Sequence, residues 1–175
     1  MAVRPALTSY HTPSNRGFKF IGKAQMGVVW PLLGSAGPTE FLVRSGVLQI
    51  LFTTILGWAM LLPHQAWGPS SSLATRLRSR DVAMAHVDWI MLALVQFAAA
   101  YILTLKAVPS AHVVARCLAF YGWVGPSVYM ARAWGINGFR LDGKRMWDTV
   151  MGTLGFTGIL AFTYGWAQIV RVWWM

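Results

Sequence analysis

Long apolar runs, scarce charge and cations gathered between the runs predict an all-α membrane protein, a four-transmembrane-helix bundle. Of 175 residues, 56% are hydrophobic and 11% charged, where a soluble domain carries about 25% charged residues. The length suits one compact bundle. The net charge of +10, from 15 Lys and Arg against 5 Asp and Glu, would point to nucleic acid in a soluble chain. Here the cations fall mainly between apolar segments, where they face membrane lipid and help set topology. No basic stripe is interleaved with aromatics, which argues against a nucleic-acid partner. Cys117 is the only cysteine. It excludes an intrachain disulfide or a cysteine-ligated cluster and reads as a small buried apolar residue.

Residues 1–42 read as an N-terminal extension, partly irregular or interfacial, before a transmembrane domain over 43–175. Met1 to Asn15 has no apolar stretch after a basic start, so the first true span is expected to act as the insertion signal. Phe18 to Leu33, with Lys19 and Lys23 at helical spacing and breaks at Gly27 and Pro31, reads as a short interfacial helix. Crossing about 30 Å of hydrocarbon takes roughly 20 apolar residues as helix. Four runs qualify: about 45–62, ending at Pro63; 82–105, closed by Lys106 and Pro109; 110–133; and 148–172, with Asp148 placed as its N-cap. These runs are too long and continuous for the strands of a membrane barrel.

The connections are turn-rich. Pro63 to Arg80 carries Gly68-Pro69 and three serines, then Arg76, Arg78 and Arg80. Lys106 to Pro109 is a tight turn that makes the second and third spans antiparallel neighbours. Trp134 to Trp147 holds Asn137-Gly138 and Asp142-Gly143 beside Arg140, Lys144 and Arg145. The cations divide almost evenly between the two sides. The orientation adopted, both termini cytoplasmic in a multi-pass protein of a bacterial inner membrane, rests on a slim margin. Trp58, Trp67, Trp134, Trp147, Trp173 and Trp174 lie near span ends, as an interfacial aromatic belt requires. Trp89, Trp123 and Trp166 lie deeper, where they line a pocket or simply pack.

His86 stands inside the second span, where an ionisable side chain is costly and by default functional. His11 falls in the extension, His64 at a span end, and His112 one turn into the third span. Asp88 is two residues beyond His86, so on a helix the two point about 200° apart and cannot share a face. Asp88 therefore reads as structural, with Arg116 as the cation that a buried carboxylate needs. Two readings of His86 stay open, a metal ligand or a satisfied interhelical histidine. Zinc would need three or four ligands, and no such cluster of His, Cys or carboxylate is visible. Haem needs one or two protein ligands and an apolar, aromatic setting.

The third span carries Phe120-Tyr121-Gly122-Trp123 and Gly125-Pro126-Ser127-Val128-Tyr129. Pro126 removes a backbone hydrogen bond and Gly125 loosens the helix, so a kink is expected there. Tyr121, Gly125 and Tyr129 at i, i+4, i+8 put two phenols on one face with a glycine gap between them. That face serves either packing or a cleft in which phenols hold a polar atom of an otherwise apolar ligand.

On these residues the chain resembles the styrene oxide isomerase family of small four-span membrane haem enzymes, over about Thr53 to Gln168. The elements are Ala85-His86 opening the second span, Gly122-Trp123 followed six residues later by Tyr129, the Gly-containing turn segment and Asp148. The resemblance implies a homotrimer with ferric haem b between protomers and His86 as axial ligand. Iron would act as a Lewis acid on a lipophilic epoxide, and C–O opening with a hydride shift would give an aldehyde. Tyr129 matches the family's site tyrosine, and Tyr121 stands where the family has an acidic residue. The family's second-span asparagine is Leu92 here. Trp89, Trp123 and Arg116 are the expected cofactor contacts, and the loop arginines and lysine are candidates for the propionates. Two other functions compete: a haem electron-transfer subunit, with His112 as second ligand, and a cofactor-free accessory subunit of a larger membrane complex.

Overall fold

The computed structural model describes residues 37–61, 79–139 and 145–175. The expected interfacial helix at 18–33, His11, His64, Trp67, Arg76, Arg78, Arg140 and Lys144 lie outside the described residues. Among those described, the chain is all-helical, with four helices and no strand. They are α1 (Pro38–Leu61), α2 (Ser79–Leu105), α3 (Ala111–Ala133) and α4 (Met146–Trp174). Two of them, α1 and the Arg80–Leu105 part of α2, are long and apolar enough to cross a membrane. In α3 and α4 the apolar run is diluted by Arg116, Arg132, glycine, threonine and tyrosine.

α1 starts seven residues before the expected Ser45. Proline is well suited to a first helical turn because its missing N–H has no partner there anyway. Pro38 takes that place, and the Arg44 guanidinium donates to Glu40 one turn away, so the two charges ahead of the expected start pair with each other. The α2–α3 connection is as tight as expected. Ser110 takes a left-handed φ of 55°, a conformation that costs a non-glycine residue roughly 1 kcal/mol, and its carbonyl accepts the N–H groups of Val113 and Val114.

Asp148 is not the N-cap of α4. Arg145 holds that position without a side-chain cap, and Asp148 is buried inside the first turn. Its Oδ1 accepts the Asn137 backbone N–H at 2.8 Å, which ties the preceding loop to the helix. α3 itself ends in a Schellman turn: Gly135 at φ 86° donates to the Arg132 carbonyl and Ile136 to the Ala131 carbonyl. That turn sends residues 136–139 back over α3.

Neighbouring helices pack in chain order, and α1 also meets α3, whereas α4 rests on α3. α3 is therefore central. At the α2–α3 turn a core of Leu42, Ala99, Ala100, Val114, Ala115, Leu118 and Ile169 draws on all four helices. α4 approaches α3 through glycines: a Cβ at Gly158 would stand 3.0 Å from the Tyr121 ring, and one at Gly155 3.1 Å from Val128.

Polarity runs inside out. Ser45, Gln49 and Thr53, one turn apart on α1, are buried, as are Gln96 and Asp81, while Val47, Leu51, Ile55, Trp58, Met91, Leu94, Ile159 and Leu160 are exposed. The Gln96 amide N–H donates to Gln49 Oε1 at 3.0 Å, and the Trp123 indole N–H donates to Ser45 Oγ at 3.2 Å. Gly122 of α3 makes room for the amide pair.

Candidate functional site

A cavity of about 230 Å³ lies beside α3, walled by α2, α4 and the 138–139 turn. Asp88 enters from α2, Tyr121, Gly125, Val128 and Tyr129 from α3, and Gly152, Gly155, Phe156 and Ile159 from α4. Gly138 and Phe139 form its edge. The i, i+4, i+8 face of Tyr121, Gly125 and Tyr129 is present as the spacing predicted. The glycine gap has a local cause: a Cβ at Gly125 would meet the Tyr121 ring at 3.1 Å, so only glycine lets that ring lie back along the helix.

The Tyr129 end of the site is braced by an ion pair between helices. Arg132 Nε donates to Asp81 Oδ1 at 2.9 Å, and its Nη2 donates to the same oxygen. The guanidinium also lies over the Tyr129 and Phe139 rings, 5.4 and 5.3 Å from their centroids. The two rings are 5.5 Å apart. Tyr129 is thus held by a charge that is itself tied to α2. Asp148 completes the brace by fixing the turn that carries Gly138 and Phe139. A Cβ at Gly138 would stand 2.9 Å from Val128 and 3.0 Å from the Met151 Cβ, so the turn closes tightly on α3 and α4.

One sequence expectation is corrected here. Asp88 does not pair with Arg116. The ion pairs among the described residues are Glu40–Arg44 and Asp81–Arg132, and Arg116 is exposed. Asp81 to Arg132 and Gln96 to Gly122 set the antiparallel register, which places Arg116 roughly 20 Å along the bundle from the level of His86 at 1.5 Å per residue. Asp88 instead lines the same cavity as Tyr121 and Tyr129.

His86 occupies the other side of α2. Its ring meets α1 at Gly57, where a Cβ would stand 3.2 Å from the imidazole Cε1. Its Nδ1 is buried with no hydrogen-bond partner. Trp89 is buried on the same side, edge-on to Phe52 at 4.7 Å, with its indole N–H likewise unpartnered. Phe52 also meets Trp123 at 6.1 Å. The deep tryptophans therefore pack against α1 or, for Trp166, against the core, and none lines the cavity.

Haem can be tested against these residues. His86 offers an imidazole nitrogen without a partner, beside a glycine that leaves its ring room, and a single such donor is what haem ligation requires. The cavity is too small for the macrocycle and does not contain His86, so within one chain the candidate ligand lies on one face of α2 and the cavity on another. His112 is exposed at the start of α3, roughly 25 Å from the His86 level by the same register, so these two cannot ligate one iron within a chain. Among the described residues, no three His, Cys, Asp or Glu side chains are grouped to hold a metal ion.

The Asp81–Arg132 brace, the Gln49–Gln96 pair and the glycine face of α4 escaped the sequence reading. Charged and amide side chains inside apolar runs, and glycines at 152, 155 and 158 at steps of three, were the available signals. Comparison with protein-family models, with curated proteins and with solved structures finds no match to this chain.

Proposed function

We propose that this chain is a multi-pass membrane protein, crossing the bilayer four times, whose cavity takes a small lipophilic molecule bearing a polar oxygen. The observation that carries this reading is the convergence of Asp88, Tyr121 and Tyr129 on one cavity with otherwise apolar walls. Ligand sites have that composition, with a few placed polar groups orienting an apolar body. At about 230 Å³ the cavity falls below the roughly 300–1,000 Å³ of drug-sized pockets, which favours a compact ligand. Membrane embedding is supported by apolar side chains facing outward on all four helices and by polar ones paired within. Side chains exposed on the rim, Phe139, Phe156 and Ile159, offer such a molecule entry from lipid.

The proposal extends to the chemistry that the sequence resemblance implies: a haem-dependent isomerase turning a lipophilic epoxide into an aldehyde. Haem would be held by His86 and, when bound, would supply a Lewis acid to the epoxide oxygen. The chain's own residues have distinct work in that reaction. The Tyr129 and Tyr121 hydroxyls donate to the oxygen as it gains negative charge, and the apolar walls exclude water that would open the epoxide to a diol. Because His86 and the cavity lie on different sides of α2, the two halves of the site would have to meet across a boundary between protomers, as the trimer implied by the resemblance would allow. The reading predicts a Soret band in the purified protein and its loss in His86→Ala. A colourless wild-type protein, or full haem occupancy in His86→Ala, overturns it.

A further inference from the structure

Asp88 is the cavity group that the reading above leaves without a task. It lies about two and a half turns into α2 and belongs to neither of the ion pairs among the described residues. Arg132, the cation at the Tyr129 end, gives both of its hydrogen bonds to Asp81. The surfaces opposite Asp88 are the Tyr121 ring, Phe156, Ile159 and glycine backbone. A carboxylate in such a setting is costly unless a cation joins it, and aromatic faces attract cations in the same place. The cavity is thus electrically polarised, with an acceptor-only carboxylate on α2 and hydroxyl donors on α3.

We infer that Asp88 makes this cavity a site for small lipophilic ammonium ions, the class of an arylalkyl primary amine. The ammonium sits at the Asp88 carboxylate and the aryl group lies among Tyr121, Phe156 and Ile159. The inference rests on the cavity of the proposed function and not on haem. For the epoxide reaction it assigns Asp88 a matching role, since C–O opening leaves positive charge on carbon, and a carboxylate across the cavity stabilises that charge.

The test is calorimetric binding of 2-phenylethylammonium and its neutral counterpart 2-phenylethanol to the full-length protein in detergent. Wild type is expected to bind the ammonium at least 10-fold more tightly than the alcohol. Asp88→Asn should erase that preference while keeping alcohol binding, and Asp88→Glu should restore it. Ile159→Trp, which fills the cavity from an exposed position and leaves Asp88 in place, should weaken both ligands together. Equal affinities in wild type, or a preference that survives Asp88→Asn, overturn the assignment of Asp88 while the cavity reading stands. If neither ligand binds wild type, the cavity reading falls and this inference with it.

Discussion

Replacing Gly122 with alanine should damage this protein more than a methyl added at Gly46, Gly57, Gly125, Gly155, Gly158 or Gly165. A Cβ at Gly122 lands on Gln96 Nε2 and 2.6 Å from Gln49 Nε2. Both amides are fully buried, so neither can swing into solvent. Forcing a methyl into a packed core costs about 1–3 kcal/mol. Splitting the interhelical amide bond adds about 0.6–1 kcal/mol, since such bonds inside membranes are individually weak. Crowding is therefore the larger effect, and the total is roughly 2–4 kcal/mol. Unfolding of the purified chain in mixed micelles by titrated SDS measures it, and a double-mutant cycle identifies the cause. In a Gln96→Ala background the nearer clashing amide is gone and the space it leaves lets Gln49 turn aside, so the Gly122→Ala increment should fall below about 1 kcal/mol. A Gly122→Ala protein within about 0.5 kcal/mol of wild type would refute the three-helix contact.

Three further outcomes follow from the same packing. Asp81→Asn strips Arg132 of its carboxylate; with Arg132 about a third exposed, the cost should be about 1–3 kcal/mol, below the 3–5 of a fully buried pair. The Asp81→Asn/Arg132→Gln double variant should recover part of it in the same SDS titration. Asp148→Ala leaves the Asn137 N–H unpaired, and hydrogen exchange at Asn137 should quicken by about 10-fold or more, the ratio for 1.4 kcal/mol. Gly158→Val pushes α4 off the Tyr121 ring; it should cost about 1–3 kcal/mol and lower the affinity for 2-phenylethanol.

Helices were legible in this sequence because apolar runs of about 20 residues have few alternatives, and their faces were legible wherever spacing alone decides. Tyr121, Gly125 and Tyr129 share a face because residues four apart on a helix must. The 200° divergence of His86 and Asp88 was equally readable. Which of the two would meet the tyrosines was not, because that depends on the rotation of α2 against α1 and α3. Small-residue contacts set that rotation: Gly57 under His86 and Gly122 at the amide pair draw one side of α2 toward its neighbours, which leaves Asp88 toward α4. Partner choice failed for a similar reason. Arg116 and Arg132 are both cations of α3, and only the antiparallel register decides that Arg132 lies beside the start of α2. Asp148 was misplaced by three residues because a backbone donor outside the helix, Asn137, competed for its carboxylate.

Formation of aldehyde from a lipophilic aryl epoxide, followed in the purified protein with its absorption spectrum recorded alongside, tests the proposed function most directly. The account predicts turnover in wild type and a loss of about 10²–10³-fold in Tyr129→Phe, the scale for removing one donor to a developing oxyanion, with the Soret band unchanged. A haem-loaded wild type that leaves the epoxide intact, or a Tyr129→Phe protein that converts it undiminished, would contradict it.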